Sequence, residues 1–180
     1  MTRLFGGALA LLFFVSCTSG NQRPSPNSKI TVPTRLAKNL AKKGLRLSVE
    51  FTAAPSSGND TTSRIGAKIE LYTVLQTKRA LKKMGIDVIS DSPTGLVMNI
   101  NNYNLFKDGS RCEILIEVEA IFSKFMSKHT ARFKRQESWP FCIEGKGMQT
   151  HRRSVMRDLV SDIFIWMDKK STEHQLSAGF

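Results

Sequence analysis

Three cysteines and three histidines carry most of the reactive chemistry in this chain of 180 residues. A thiol can attack, ligate a metal or pair with a second thiol. His129, His151 and His174 are scattered, and neither Cys112 nor Cys142 has a neighbour at zinc-binding spacing, so no metal site is expected. No glycine-rich phosphate loop and no serine or cysteine nucleophile in a recognisable setting is present. The sequence therefore reads as non-catalytic, with no cofactor. The pattern best suited to binding is His151-Arg152-Arg153, expected at the start of a final helix. Cations there oppose the helix dipole at about 0.3–1 kcal/mol each. A bound anion would relieve that cost; alternatively, both arginines simply extend into water.

Cys17 has a more particular setting. Arg3 precedes a short apolar run from Leu4 to Val15, well under the roughly 20 residues that a helix needs to cross a bilayer. A charged start, a short apolar middle and small residues before a cut site mark a secretion signal, here residues 1–16. The stretch Phe14-Val15-Ser16-Cys17 resembles the lipobox of bacterial lipoproteins. That resemblance implies acylation of the Cys17 sulfur, removal of the residues before it and acylation of the new amino terminus. Two or three acyl chains hold a protein on a membrane stably, whereas one does so marginally. Thr18 stands where an inner-membrane retention signal would have Asp, which by the same resemblance implies delivery to the outer membrane, with the domain facing the periplasm. The competing reading is an ordinary signal peptide cut nearby.

Lys and Arg number 27 against 15 Asp and Glu, a net charge of +12. Loss of residues 1–16 removes Arg3 and no acid, leaving 26 basic against 15 acidic residues, or +11. Such an excess favours acidic partners. Export argues against nucleic acid and leaves anionic lipid or lipopolysaccharide phosphates; the alternative is that the charge serves solubility. In an oxidising compartment Cys112 and Cys142 can pair. The sequence favours that disulfide over two separate thiols, since two remaining cysteines in one exported domain are more often paired than not.

These groups need elements to position them. Residues 18–32 are rich in Ser, Asn, Pro and Gln and read as a tether after the lipidated cysteine. A short basic helix follows over 33–44, completing a tether region of 17–43. Its Lys38 and Lys42, with Lys43, are candidates for contact with anionic lipid, although loose packing on the domain is the preferred reading. The domain itself spans 44–171, before a polar tail at 172–180. Alternation predicts a strand over 45–51. A helix over 62–84 is expected to bury Ile65, Ile69, Tyr72 and Leu75, widened by Leu71, Val74, Leu81 and Met84, and to end at Gly85 in a left-handed cap. Strands are expected over 86–89, 96–106, 112–122 and 130–139, and a last helix over 150–170. Pairing the exposed Glu119 with Arg132 sets Cys112 near Trp139. Asn99, Asn101, Asn102 and Asn104 are unusual in a strand and mark either a bulge or, as preferred here, an edge. The expected fold is α+β: a single sheet of about four to five mostly antiparallel strands, with two long helices packed on one face.

This layout is similar to that of two outer-membrane lipoprotein families, the lipopolysaccharide-assembly lipoproteins and the auxiliary lipoproteins of ABC-type lipid transport systems. The passage Leu81-Lys82-Lys83-Met84-Gly85-Ile86-Asp87-Val88-Ile89 resembles the helix-to-strand joint of both, and Ile165-Trp166 resembles an apolar-Trp pair that closes the auxiliary family. The resemblance implies an accessory lipoprotein that docks to a larger envelope complex and assists lipid transport or outer-membrane assembly. The alternative is a structural subunit of a secretion or surface apparatus.

Overall fold

The strand β3 (Arg111–Lys124) sets the geometry of the rest. Cys112, Ile114, Ile116, Val118, Ala120 and Phe122 are all buried, while the residues between them stay half-exposed. That strict alternation demands a cover over one face only. The computed structural model, which describes residues 29–52, 60–108, 111–124, 126–140 and 146–177, provides it with helices. The expected signal, Cys17 and Cys142 lie outside the described residues.

Antiparallel β4 (Ser127–Pro140) pairs with β3 in the register that the charges require. Glu119 faces Arg132 at 3.5 Å and Glu117 faces Lys134 at 3.3 Å. Cys112 consequently lies opposite Trp139. On the other side β3 pairs with antiparallel β2 (Thr94–Asp108), and β2 pairs with parallel β1 (Arg46–Phe51), giving the order β1-β2-β3-β4. The Asn-rich stretch is therefore interior, not an edge. It holds a bulge instead: Ile100 pairs with Val118 and Asn102 with Glu117, leaving Asn101 as the extra residue. The inserted residue switches parity, so Met98 and Ile100 face the core before the bulge and Tyr103 and Leu105 after it. Asn99, Asn102 and Asn104 sit opposite Glu119, Glu117 and Leu115 on the open face, where the Asn102 amide donates to Glu117.

Parallel strands need a long crossover, and α2 (Asp60–Lys83) supplies it between β1 and β2. Gly85 ends it with φ +71°, the left-handed cap expected of glycine there. The strand expected over residues 86–89 does not form. It makes one parallel bridge, Leu45 to Val88, while Arg46 already faces Gly95, so the chain between loops out. The Ser92 hydroxyl ties that loop down by donating to the carbonyls of Gly44 and Lys43 and accepting from the Thr94 amide.

The last helix, α3 (Lys146–Ser177), is longer than expected. Its buried stripe of Val155, Met156, Leu159, Val160, Ile163 and Met167 matches the periodicity, with Phe164 added. The short helix α1 (Thr34–Ala41) is packed closely, not loosely: Leu36 is wholly buried and Ala37 and Leu40 nearly so. Arg35 grips Asp168 of α3 in a forked ion pair at 2.9 and 3.1 Å, and the Thr31 amide donates to Ser161.

Replacing Leu36 with Ala removes a fully enclosed side chain, with an expected loss of about 2–5 kcal/mol. Urea unfolding should show a lower midpoint at unchanged slope. A loss below about 1 kcal/mol would mean that α1 contributes little to the core.

Candidate functional site

The expected site residues do not gather in one place. Lys38, Lys42 and Lys43 are exposed on and just after α1. Since Thr31 meets Ser161 and Arg35 meets Asp168, α1 runs alongside α3 in the same direction. Arg153 lies 15 residues before Asp168, or about 22 Å back along the helix. The basic face of α1 and the His151-Arg152-Arg153 triplet are thus separate features.

The triplet also differs in setting from the sequence expectation. Because α3 begins at Lys146, the triplet occupies its second turn. The unbonded amides of a helix belong to its first four residues, so no free amino terminus stands beside these cations. His151 has a structural task. Its Nδ1 meets Glu137 Oε1 at 2.6 Å, and its ring stacks on Trp139 with centroids 4.2 Å apart and planes 7° from parallel. The pair joins α3 to β4 beside Cys112, which is buried and disulfide-bonded. His129 is elsewhere, stacked on Phe122 at 6.4 Å.

The two arginines point to different rings. The Arg152 guanidinium lies 5.7 Å from the Tyr103 centroid and that of Arg153 lies 5.4 Å from Tyr72. The second contact leads to the seam between α2 and α3. There a cavity of about 420 Å³ is lined by Tyr72, Gln76, Arg79, Thr150, Arg153 and Arg157. Tyr72, Gln76 and Arg79 recur every three or four residues on α2, and Arg153 and Arg157 are one turn apart on α3. Three guanidinium groups therefore share one hollow. Burial raises the Tyr72 phenol above its ordinary pKa, and the nearby charges of Arg157, Arg153 and Arg79 pull it back. Burial likewise raises the Asp158 carboxyl, against the pull of Arg135 and Arg157.

A second cavity of about 290 Å³ shares Tyr72 and Arg153 with the first. Its walls include Ile69, Ile116, Met156 and Tyr103. The Tyr103 phenol is also raised by burial and lowered by Arg152. Its buried hydroxyl has no hydrogen-bond partner, and neither has Arg157 Nε.

Sequence reasoning does not single out Arg79 and Arg157, which the structure brings to this hollow. The i, i+4 spacing of Arg153 and Arg157 was the available signal. What hid it was the orientation of α2. Among its described side chains the buried positions include Ile69, Thr73, Thr77 and Leu81, whereas Leu71, Leu75 and Met84, expected on the apolar face, are exposed; Ile65 lies outside the described side chains. Thr73 is tolerated inside because its hydroxyl donates to the Ile69 carbonyl.

No family model matches the chain, and no curated protein does. Solved structures similar to it include a protein of Xanthomonas campestris, 11% identical over 85% of this chain and 94% of that one, with a TM-score of 0.46. Lipoproteins occur among them. One from Neisseria meningitidis is 8% identical over 70% of this chain and 98% of its own, with a TM-score of 0.41. Rare lipoprotein B from Shewanella oneidensis is 12% identical over 75% and 95%, with a TM-score of 0.31. At these values the likeness assigns no function.

The role of His151 is testable. Glu137→Gln keeps the shape but removes the charge facing the ring, and should destabilise by on the order of 1–2 kcal/mol. Denaturant unfolding at neutral pH reads this; an unchanged midpoint would show that the contact is idle.

Proposed function

We propose that this chain is a lipoprotein of the bacterial cell envelope, acylated on Cys17, whose domain acts as a non-catalytic accessory module. The observation that carries the reading is Phe14-Val15-Ser16-Cys17 directly behind a short apolar run. Sulfur-linked and amino-terminal acyl chains together give stable attachment. Residues 18–28 separate that anchor from the first described residue and reach at most about 40 Å when extended. The domain therefore works within a few nanometres of the bilayer. Thr18 supports the outer membrane as the destination and the periplasm as the side it faces.

The module acts by docking to a larger envelope complex, in lipid or lipopolysaccharide transport or in outer-membrane assembly. A mature excess of +11 charges supports contact with phosphorylated lipid at that surface, where each Lys or Arg near an anionic leaflet contributes about 1 kcal/mol.

Mass spectrometry of the protein from native membranes should find residues 1–16 absent and Cys17 carrying a diacylglyceryl group plus an amino-terminal acyl chain. Cys17→Ser should move the chain from the membrane fraction to the soluble one. An unmodified thiol, or Met1 still in place, overturns the reading. Co-purification of the lipidated chain then separates the roles: a lipid-transport component supports this one, and a ring or pilus component supports a structural subunit instead.

A further inference from the structure

We propose that the seam between α2 and α3 binds a phosphorylated amphiphile, its phosphate held by Arg79, Arg153 and Arg157 and its apolar part seated in the adjoining cavity at Tyr103. Among the described residues the first cavity is lined by three cationic groups, three neutral side chains able to hydrogen-bond (Tyr72, Gln76 and Thr150) and no carboxylate. Four cations elsewhere in the domain meet an acid. Arg35 pairs with Asp168, Arg132 with Glu119, Lys134 with Glu117 and Arg135 with Asp162. Asp158 is the acid whose charge reaches Arg157, but it is shared with Arg135. Three guanidinium groups that share one hollow repel one another, and among the described residues no carboxylate lines it, so a bound anion would relieve the repulsion.

The chemistry selects the anion. Guanidinium forks fit carboxylate and phosphate alike, but a carboxylate brings one negative charge and a phosphate monoester about −1.5 to −2 at neutral pH. Three cations suit the second. They are also held ready. Arg153 rests over the Tyr72 ring, Arg157 Nε is buried without a partner, and both helices carry buried core residues, Leu81 on α2 and Met156 and Val160 on α3.

A bare anion leaves the adjoining cavity unexplained. It opens beside Tyr72 and Arg153, is walled by Ile69, Ile116 and Met156, and includes the partnerless Tyr103 hydroxyl. Ligand sites commonly measure about 300–1,000 Å³, apolar with a few placed polar groups. Cavities of about 420 and 290 Å³ sharing two residues fit one ligand with a charged head and an apolar body. An ester oxygen next to the phosphate would satisfy Tyr103. The ligand class rests on the envelope reading, since membranes supply such molecules. Affinity is measured on purified protein, so its failure is distinct from failure of Cys17 acylation.

The full chain, in a neutral detergent at fixed ionic strength, is titrated calorimetrically with dihexanoyl phosphatidate, inorganic phosphate and dihexanoylglycerol. Phosphatidate should bind at least tenfold tighter than either of the others. Arg79→Gln with Arg153→Gln should weaken it at least tenfold; both side chains are exposed, so the core is untouched. Lys82→Gln with Lys83→Gln removes the same charge from the end of α2 and should leave binding unchanged. Equal affinity for inorganic phosphate overturns the amphiphile in favour of a free anion. Equal losses in the two double variants, or none in the first, overturn the site.

Discussion

A sheet that buries one face and wets the other imposes the arrangement of everything around it. The buried residues of β3 cannot be covered by a single helix, because four strands side by side span more than one helix diameter. Two long helices must therefore lie next to each other on the same face, α2 toward β1 and α3 toward β3 and β4. Adjacent cylinders leave a furrow between them. In this chain the furrow is lined by arginines and tyrosines where apolar residues could have closed it. The sheet thus determines where a seam must exist, and the side chains of α2 and α3 determine what it can hold.

The open face follows a different logic. Glu117 and Glu119 meet Lys134 and Arg132 across the ladder, and exposed pairs of this kind contribute under about 1 kcal/mol each. Their value is in register: a slip of one residue would turn the whole buried set of β3 to solvent. The outer strand β4 is also rich in cations, which discourage a second sheet from adding to its edge.

Where period and charge agree, the sequence was sufficient. The alternation of β3, its pairing with β4, the placement of Cys112 opposite Trp139, the Gly85 cap and the buried stripe of α3 were all legible. Legibility failed where a local pattern had two solutions. Asn101-Asn102 was compatible with an edge or a bulge, and only the pairing of β2 on both sides decides between them. Ile86 to Ile89 looks like a strand, yet the crossover from α2 brings it to β1 for a single bridge before β2 takes over that edge. Apolar residues cover so much of the α2 surface that its inward face is ambiguous, and the side carrying Tyr72, Gln76 and Arg79 was correspondingly obscured. The His151-Arg152-Arg153 triplet divides in a way the sequence does not display: His151 turns to Glu137, while Arg152 and Arg153 both line the cavity beside Tyr103.

The docking of α1 on α3 also has a mechanical meaning. With Cys17 acylated as proposed, the chain would be subject to traction from its amino end whenever its domain is bound to something larger. That force enters the described domain ahead of Val32 and meets first the Thr31 amide on Ser161, then the Leu36 anchor and the Arg35–Asp168 fork. The first and last of these transfer it to α3, so the sheet is not the first element to be strained. The elements that line the seam and the element that bears the load are thus partly the same, and a pull on the amino end of the domain is delivered to α3.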